Sequence, residues 1–513
     1  MDRRTAFKKG TELIFGSETD GYESVNEVEP ITETEQALAH VNVAMTLEPY
    51  VPNTNMPWNR RRVLHMCRRM GFVPEPSTLS LLEGMSPSQA VDYLIQRAQN
   101  AKKITEPSWA NLGLPPVNAT AAEIQTYNTQ RAIWLNDLRV MVSSHLLESG
   151  LRGKLTMFWH NHFVTELSDY GNNPQYAWRY LNAIQEHHFV GFKALTVAMG
   201  ITPAMLVYLN GIQNQRIRPN ENYARELLEL FTLGEGNGYT QKDIEELARA
   251  LTGYQVNGRD NSVSFNQARF DSGSKTIFGK TGNYNYTTVH DLLFQERREA
   301  ISRHVCRRAY QFFVYPNAPE MIVDEMAQLF LESDMNLVSV LRTLFKSRHF
   351  FDDEMMGTMV ISPTELLGNF MTMFSIPKNT QEYRNYYNLT SQLGQVLLQP
   401  PDVAGWRGHR SWINTSTLPT RWTLMEQQVA RFRVQLLEFA KLMPSPNKPY
   451  DLARHIAEYM IAVPLKDEEY LELGKVLLGG SPDYEWRIDS NGAASRIQAL
   501  VSHIVQMPEY QLN

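Results

Sequence analysis

The sequence has few cysteines, no strong excess of charge and no long apolar run. Two cysteines, Cys67 and Cys306, stand among 513 residues, which excludes a disulfide framework and predicts two buried free thiols. The formal net charge is -6, so the basic face of a nucleic-acid-binding protein is not expected. No apolar run reaches the about 18 residues of a transmembrane helix, so no membrane span is expected either.

Apolar residues at helical spacing are abundant. Hydrophobic residues make up 43% of the chain and aromatic residues 11%, enough for a large core. Val63, Met66 and Met70, for example, share one face at a period of 3.6 residues. The sequence therefore predicts a mainly α protein, a multi-helical globular array. From residue 151 onward, helices are predicted near 151–163, 174–188, 203–209, 220–233, 241–252, 297–313, 319–332, 336–346, 362–374, 384–398, 419–442, 450–461, 467–478 and 493–507.

One segment interrupts the helical pattern. Residues 255–287 are rich in Gly, Asn, Ser and aromatic residues, and they are predicted to form a small irregular or β insert. Within them, 262–265 and 276–278 have strand-like composition and are expected to pair as a hairpin. Long inserts of this kind in compact domains are often functional.

The chain divides into three predicted parts. Residues 1–55 are acidic and weakly periodic and are expected to form an N-terminal tail or arm. Residues 56–440 form the main helical domain. Residues 450–513 form a C-terminal helical segment packed on it, after a Pro-rich linker at 441–450.

The N-terminus allows two interpretations. Residues 2–9 include Arg3 and Arg4 and are similar to a twin-arginine export signal. Such a signal needs an apolar stretch of about 7–15 residues, and residues 10–16 give way at once to a polar segment. The alternative is a basic start to a flexible tail.

The most unusual polar pattern lies on the predicted helix that follows Asn220. Arg225 is four residues from both Glu221 and Glu229, so a ladder of surface ion pairs is one interpretation. The other is a catalytic face that points into a cleft, because carboxylates three residues apart can share a metal or divide acid and base roles. The candidate catalytic residues are Asn222, Arg225, Glu226 and Glu229.

Two histidines lie in an apolar run upstream. His160 and His162 flank one asparagine, and neutral imidazoles bind divalent transition metals, often together with a carboxylate. On a helix, however, residues two apart diverge by roughly 200° around the axis. Either the helix ends here or only one ring faces a site. The alternative is that each is a hydrogen-bonded core residue.

A late loop at 400–414 combines two prolines, two tryptophans and two arginines. The prolines stop a helix. The loop predicts either a pocket for a sugar or another planar ligand, or a structural loop whose tryptophans fill the core. Its candidate substrate-binding residues are Trp406, Trp412 and Asn414.

Three segments resemble the signatures of one family. They are KLTMFWHNHFVTE at 154–166, NENYARELLELFTLGEGNGYTQKDIEELARALTGY at 220–254 and LGQVLLQPPDVAGWRGHRSWINTSTL at 393–418. They are similar to the DUF1800 family, a large bacterial family of uncharacterised proteins. The resemblance runs from about residue 58 to the end.

The resemblance implies a cell-envelope protein. Members look exported, which favours a periplasmic location over a cytoplasmic one, and a neighbouring gene often encodes a DUF1501-like protein, a possible partner. This chain departs from the family pattern in the insert, where histidines are usual near Phe265 and Phe270. Asp271 and Lys275 keep the familiar arrangement and are candidate substrate-binding residues.

Two functions are therefore open. The first is a hydrolase-like enzyme that is metal-dependent or uses acid–base chemistry, in which His160, His162 and Glu226 bind a divalent transition metal or transfer protons. Arg225 would then hold an anionic substrate group. The second is a non-catalytic envelope or assembly protein that acts with the neighbouring partner, in which the same polar residues fix helix packing.

Overall fold

The computed structural model describes residues 43–513, and this range folds into 21 α-helices and two short two-stranded sheets. The prediction of a mainly α protein with a small β insert is confirmed. The predicted export signal and most of the predicted N-terminal tail fall within residues 1–42, outside the described residues. In the described part of the chain, none of the helices combines the length and apolar character needed to cross a bilayer.

The helices are numbered here in chain order. The first ten are α1 Arg60–Met70, α2 Pro76–Glu83, α3 Pro87–Asn100, α4 Ala121–Glu148, α5 Leu151–His162, α6 Pro174–His187, α7 Phe192–Gly200, α8 Pro203–Tyr208, α9 Asn222–Glu226 and α10 Gln241–Ala250. The others are α11 Tyr286–Glu296, α12 Arg298–Phe313, α13 Glu320–Glu332, α14 Leu337–Lys346, α15 Pro363–Met373, α16 Thr380–Gln392, α17 Thr417–Arg431, α18 Arg433–Lys441, α19 Pro449–Met460, α20 Asp467–Leu478 and α21 Ala493–Gln506.

Many helix starts follow from local chemistry. Ser86 caps α3 and forms a capping box with Gln89, and Thr120 does the same with Glu123 at the start of α4. Each such cap satisfies orphan backbone N–H groups and contributes about 1 kcal/mol. The segment predicted as one helix at 419–442 is two helices, α17 and α18, which meet at Phe432.

Helix α5 is enclosed almost completely by its neighbours in the described fold. It packs against α3, α4 and α6, and every one of its residues except Asn161 is buried. A helix that is buried on all sides must satisfy any polar side chains internally. Gly153 permits the close approach to α4, because a Cβ there would lie 3.0 Å from the Leu146 Cα.

The insert forms two separate hairpins. Strand β1 (Tyr254–Val256) pairs antiparallel with β2 (Val263–Phe265), and β3 (Lys275–Ile277) pairs with β4 (Lys280–Gly282). The predicted pairing of 262–265 with 276–278 is therefore wrong. Each segment instead takes the partner nearest in sequence, which costs less loop-closure entropy.

The insert is fastened to α10 by acidic side chains. Asp243 Oδ1 accepts the Phe278 N–H at 2.6 Å, and Glu246 Oε2 accepts the Thr276 N–H at 3.3 Å. Arg249 completes the attachment through its ion pair with Asp271 at 2.8 Å. One face of a single helix thus holds the edge of β3 in register.

The segment just before α1 is also attached to the helical body. The Tyr50 N–H donates to the Lys346 carbonyl at 2.8 Å, and the Leu47 N–H donates to Glu325 Oε2 at 3.0 Å. At the other end, α21 packs against α17, α18 and α20. Residues 44–513 form one compact unit.

The two cysteines are free and buried, as predicted. Burial raises the pKa of both thiols, that of Cys67 to about 12. A thiol with so high a pKa is almost fully protonated at neutral pH and is a poor nucleophile.

Candidate functional site

One face of the buried helix α5 borders a cavity of about 370 Å³. Lys154, Met157, Phe158 and Asn161 all line it, and their spacing of three, four and seven residues places them on one side of the helix. We call this space the basic cavity. Its other walls come from α1, α12, α15 and the loop at 400–414.

Basic side chains outnumber acidic ones in the basic cavity. Its lining includes four lysine or arginine side chains and a single carboxylate, that of Glu365. The basic residues are Arg69, Lys154, Arg308 and Arg407. Aromatic rings supply much of the remaining wall, and they come from Phe72, Phe158, Phe312, Tyr386, Trp406 and Trp412. This combination suits an anion that carries a planar or apolar part.

Lys154 is buried, and it forms an ion pair with the partly exposed carboxylate of Glu365 in the wall of the cavity. Burial lowers the pKa of Lys154, and the neighbouring carboxylate opposes this effect only in part. Burial would raise the pKa of Glu365, but Lys154 and the Ser362 cap together hold it below its ordinary value. Glu365 is therefore ionised at neutral pH.

Two of the arginines lack a carboxylate partner. Within the described chain, no hydrogen bond or ion pair involves the side chain of Arg308 or of Arg407. Arg308 is half-buried and burial lowers its pKa, whereas Arg407 is exposed at the edge of the cavity. Unpaired guanidinium groups that face a cavity are available to bind a carboxylate or a phosphate.

Arg69 is held more firmly. Its guanidinium donates to the backbone oxygens of Met355 at 3.4 Å and Asn513 at 2.7 Å, and to Thr358 Oγ1 at 3.3 Å. Burial lowers its pKa to about 10, so it remains charged at neutral pH. Arg69 thus contributes a fixed positive charge to the cavity wall.

Asn161 fixes the loop at 400–414 against α5. Its Oδ1 accepts the Trp406 N–H at 2.7 Å, and its Nδ2 donates to the Trp406 carbonyl at 3.1 Å. Gly405 has a φ of +84°, and a Cβ there would lie 2.3 Å from Asn161 Oδ1. The indoles of Trp406 and Trp412 are thereby placed in the cavity wall, both less than a tenth exposed.

Replacing Asn161 with leucine should release this loop. Both Trp406 backbone groups would lose their partners, and each unsatisfied group costs about 1–3 kcal/mol when buried. We expect a loss of about 2–4 kcal/mol in urea denaturation and faster proteolysis between residues 400 and 414. Asn136→Leu, at an exposed position on α4, is the control and should change neither measurement. A loop that stays protected in Asn161→Leu would contradict this role.

The two histidines beside Asn161 do not border the basic cavity. His160 Nδ1 donates to the Tyr180 hydroxyl at 2.8 Å, and that hydroxyl donates in turn to the Phe163 carbonyl. His162 Nε2 donates to the Phe231 carbonyl at 2.9 Å. Both rings are buried, and burial lowers the pKa of His160 to about 3. They therefore bond to different elements and remain neutral.

His162 contacts the segment that carries the predicted catalytic residues, but it bonds there to a backbone carbonyl and not to any of those side chains. Helix α9 continues as a π-helix over Leu227–Thr232, and His162 and His304 donate to the carbonyls of Phe231 and Leu230, respectively. In a π-helix the backbone hydrogen bonds join residues that are five apart, and the backbone pairing is disturbed near the ends of the helix. The histidines satisfy two of those carbonyls.

The predicted catalytic residues lie elsewhere on that segment. The ladder of Glu221, Arg225 and Glu229 is present, with ion pairs of 3.1 and 3.2 Å, and Arg225 also bonds to Gln241 at 2.9 Å. Asn222 is half-buried and Glu226 is buried. None of the four candidates, Asn222, Arg225, Glu226 and Glu229, lines the basic cavity.

Two of the predicted substrate-binding residues line the basic cavity and the other three do not. Trp406 and Trp412 line the basic cavity, whereas Asn414 is exposed and accepts the N–H groups of Ser416 and Thr417 at the start of α17. In the insert, Asp271 pairs with Arg249. The Lys275 ammonium donates to the carbonyls of Asp271 and Gly273 at 2.6 and 2.8 Å. That contact network holds the insert together.

Metal ligation was a further prediction. Across residues 43–513, no group of three or more His, Cys, Asp or Glu side chains is placed to hold a metal ion. Binding of a metal by His160 and His162 stays a prediction, without a third ligand in the described part.

The sequence interpretation missed most of the cavity residues. Arg69, Lys154, Asn161, Arg308 and Glu365 were not candidates. A signal existed for two of them, because Lys154 and Asn161 share the α5 face with Met157 and Phe158 at helical spacing. Arg69, Arg308 and Glu365 lie on other helices, and no local pattern links them.

The fold and the cavity define a mainly α protein with a basic, aromatic-lined site. The chain belongs to the DUF1800 family, described as proteins of unknown function, whose model matches residues 65–512. No curated protein and no solved structure matches the chain.

Proposed function

We propose that the basic cavity binds a small organic anion with a planar or apolar part, and that Glu365 and Lys154 act on it as an acid–base pair. The observation that carries the proposal is the charge of the cavity lining, four basic side chains against one carboxylate. Natural proteins rarely leave such a charge uncompensated around a partly buried space. A bound anion would compensate it.

Arg308 and Arg407 are the groups available to hold the anion. Neither has an ion-pair partner within the described residues, so binding breaks no native bond. The low dielectric of a partly enclosed cavity strengthens such a contact relative to bulk water. The aromatic walls then contact the rest of the ligand.

Glu365 and Lys154 supply the acid–base chemistry of a hydrolase-like reaction. Glu365 is ionised, so it is the proton acceptor, and Lys154 is the adjacent donor. Titratable groups whose pKa values are shifted by burial and by a specific partner, and which line a cavity, are characteristic of active sites. Arg69, fixed by three hydrogen bonds, would stabilise negative charge that develops nearby.

The first test is anion binding by Arg308→Gln. Calorimetric titration of the whole protein with benzoate, hexanoate and phenyl phosphate at low salt should detect binding to the unmodified chain. A charge-assisted hydrogen bond is worth about 1.5–3 kcal/mol, so Arg308→Gln should weaken binding about 10-fold to 100-fold. Its free energy of unfolding should not fall, because Arg308 has no ion pair with any residue between 43 and 513.

The matched control is Arg307→Gln. Arg307 is the next residue on α12 and pairs with Glu320 at 2.6 Å, outside the basic cavity. It should bind the anions as the unmodified chain does. Glu365→Gln should bind the anion yet fail to turn over 4-nitrophenyl esters or phosphates. Equal binding by Arg307→Gln and Arg308→Gln, or no binding at all, would refute the proposal.

A cell-envelope location and a DUF1501-like partner stay predictions from the family resemblance. The anion-binding proposal does not depend on either of them. The proposed acid–base residues lie on α5 and α15, and not on the helix pair near 220–250.

A further inference from the structure

A second cavity, of about 460 Å³, lies on the other side of Phe72. Phe72 follows α1, and its half-buried ring lines both this space and the basic cavity. The ring rests against Gly368 on α15, where a Cβ would approach it to 2.3 Å. One aromatic side chain therefore stands between two cavities.

The two cavities differ in where their charges lie. In the basic cavity, Arg69 and Lys154 are buried at 3% and 7% exposure. In the second cavity the charged residues in the lining are all exposed, which places them at its rim; they are Glu75, Arg97, Glu148 and Lys378. The buried part of its wall is largely apolar and includes Met70, Leu82, Leu147, Leu151 and Met371.

We infer that the natural ligand is an amphipathic anion that spans both cavities. Its carboxylate or phosphate lies at Arg308 and Arg407, beside the positive charges of Arg69 and Lys154, and an alkyl chain passes Phe72 into the second cavity. This inference rests on the proposed anion binding and adds the ligand class to it. The physical reason is complementarity. Buried charges favour a head group on one side of Phe72, and buried apolar walls favour methylene groups on the other.

Phe72 is then the residue that determines chain length. Its ring must turn away from Gly368 to admit a chain. A larger ring at the same place would close the passage, and a methyl group would leave it open. The head group would be unaffected in both cases, because Phe72 carries no polar atom.

The test compares chain lengths in two head-group series. Hexanoate and dodecanoate, and hexyl and dodecyl phosphate, are titrated below their micellar concentrations into the unmodified protein, Phe72→Trp and Phe72→Ala. Each buried methylene is worth about 0.8 kcal/mol, so the twelve-carbon ligand should bind the unmodified chain at least about 100-fold more tightly than the six-carbon one. The two series show whether the site prefers a carboxylate or a phosphate.

Phe72→Trp should lose most of this chain-length gain, whereas Phe72→Ala should keep it. Ala101→Trp is a second variant that should obstruct the alkyl chain. Ala101 is a half-buried residue in the wall of the second cavity and does not line the basic cavity. A chain-length gain that persists in both tryptophan variants would overturn the inference. So would six- and twelve-carbon ligands of equal affinity, with the proposed anion binding intact. Absence of binding for every ligand would overturn the proposed function as well.

Discussion

Replacing Lys154 with methionine should lower the free energy of unfolding by about 3 kcal/mol, because it leaves the mostly buried Glu365 carboxylate without its cation. The pair joins α5 to α15 across 211 residues of sequence, and Lys154 is only 7% exposed. Methionine fills a similar volume, so loss of packing contributes little. Urea denaturation at pH 7.5, analysed as a two-state transition, measures the change.

A second replacement separates charge from packing. In Lys154→Met/Glu365→Gln no charge is left unpaired, and the glutamine can still accept from the Ser362 cap, as Glu365 does now at 2.7 Å. Most of the lost stability should return. Lys441→Met is the control for an exposed pair, since Lys441 bonds to Glu438 at the surface, and it should leave the urea midpoint almost unchanged. A double variant as unstable as Lys154→Met would show that the charge is not the cause.

The free energy of unfolding should fall steeply as the pH drops from about 6.5 to about 4. Burial lowers the pKa of His145, His290 and His304 to about 4 and that of His160 to about 3. In this range the unfolded chain takes up protons that the folded chain does not, so acid favours unfolding. Each of the three histidines with a pKa near 4 accounts for about 3 kcal/mol over the full window. Urea midpoints at pH 7.5, 6.0 and 5.0 would record the fall.

His290→Asn tests the source of this acid sensitivity. The asparagine amide can replace the ring N–H that donates to the Tyr286 carbonyl at 2.7 Å, but it does not titrate. The slope of stability against pH should therefore decrease by about 1.4 kcal/mol per pH unit between pH 6 and 4.5. His503→Asn, at an exposed position on α21, is the comparison. An equal change of slope in both variants would show that burial of His290 is not responsible.

The expected changes in the free energy of unfolding differ between charges that support the fold and charges that bind a ligand. Acid weakens the contributions of the ion pair and of the neutral histidines to stability, whereas Arg308 has no ion-pair partner among the residues that the structure describes. A protein that keeps an unpaired arginine beside a cavity gives up stability for binding. The contrast between Lys154→Met, which should destabilise, and Arg308→Gln, which should not, distinguishes the structural charge from the binding charge.

Helix positions could be predicted because the relevant information is local. The period of apolar residues located most of the helices. The ladder of Glu221, Arg225 and Glu229 also followed from a spacing of four residues. The hairpins of the insert could not be paired from composition, since short strands of similar character fit several partners equally well.

The histidines show where a sequence pattern misleads. Two imidazoles around one asparagine suggest a metal site, yet the rings bond to Tyr180 and to Phe231, while the asparagine between them lines the cavity. On a helix buried on all sides, sequence identifies which residues share a face but not which face borders empty space. That depends on what the other helices fill.

The amino-acid sequence by itself determined the mainly α fold, the free thiols and the membership in one family, because each depends on composition, on neighbours a few residues apart or on long matched segments. Only the tertiary structure brought Lys154 to Glu365 and Asn161 to Trp406, pairs that are 211 and 245 residues apart. No local propensity encodes such contacts. They arise when whole helices pack, and the basic cavity is the space that this packing leaves between them.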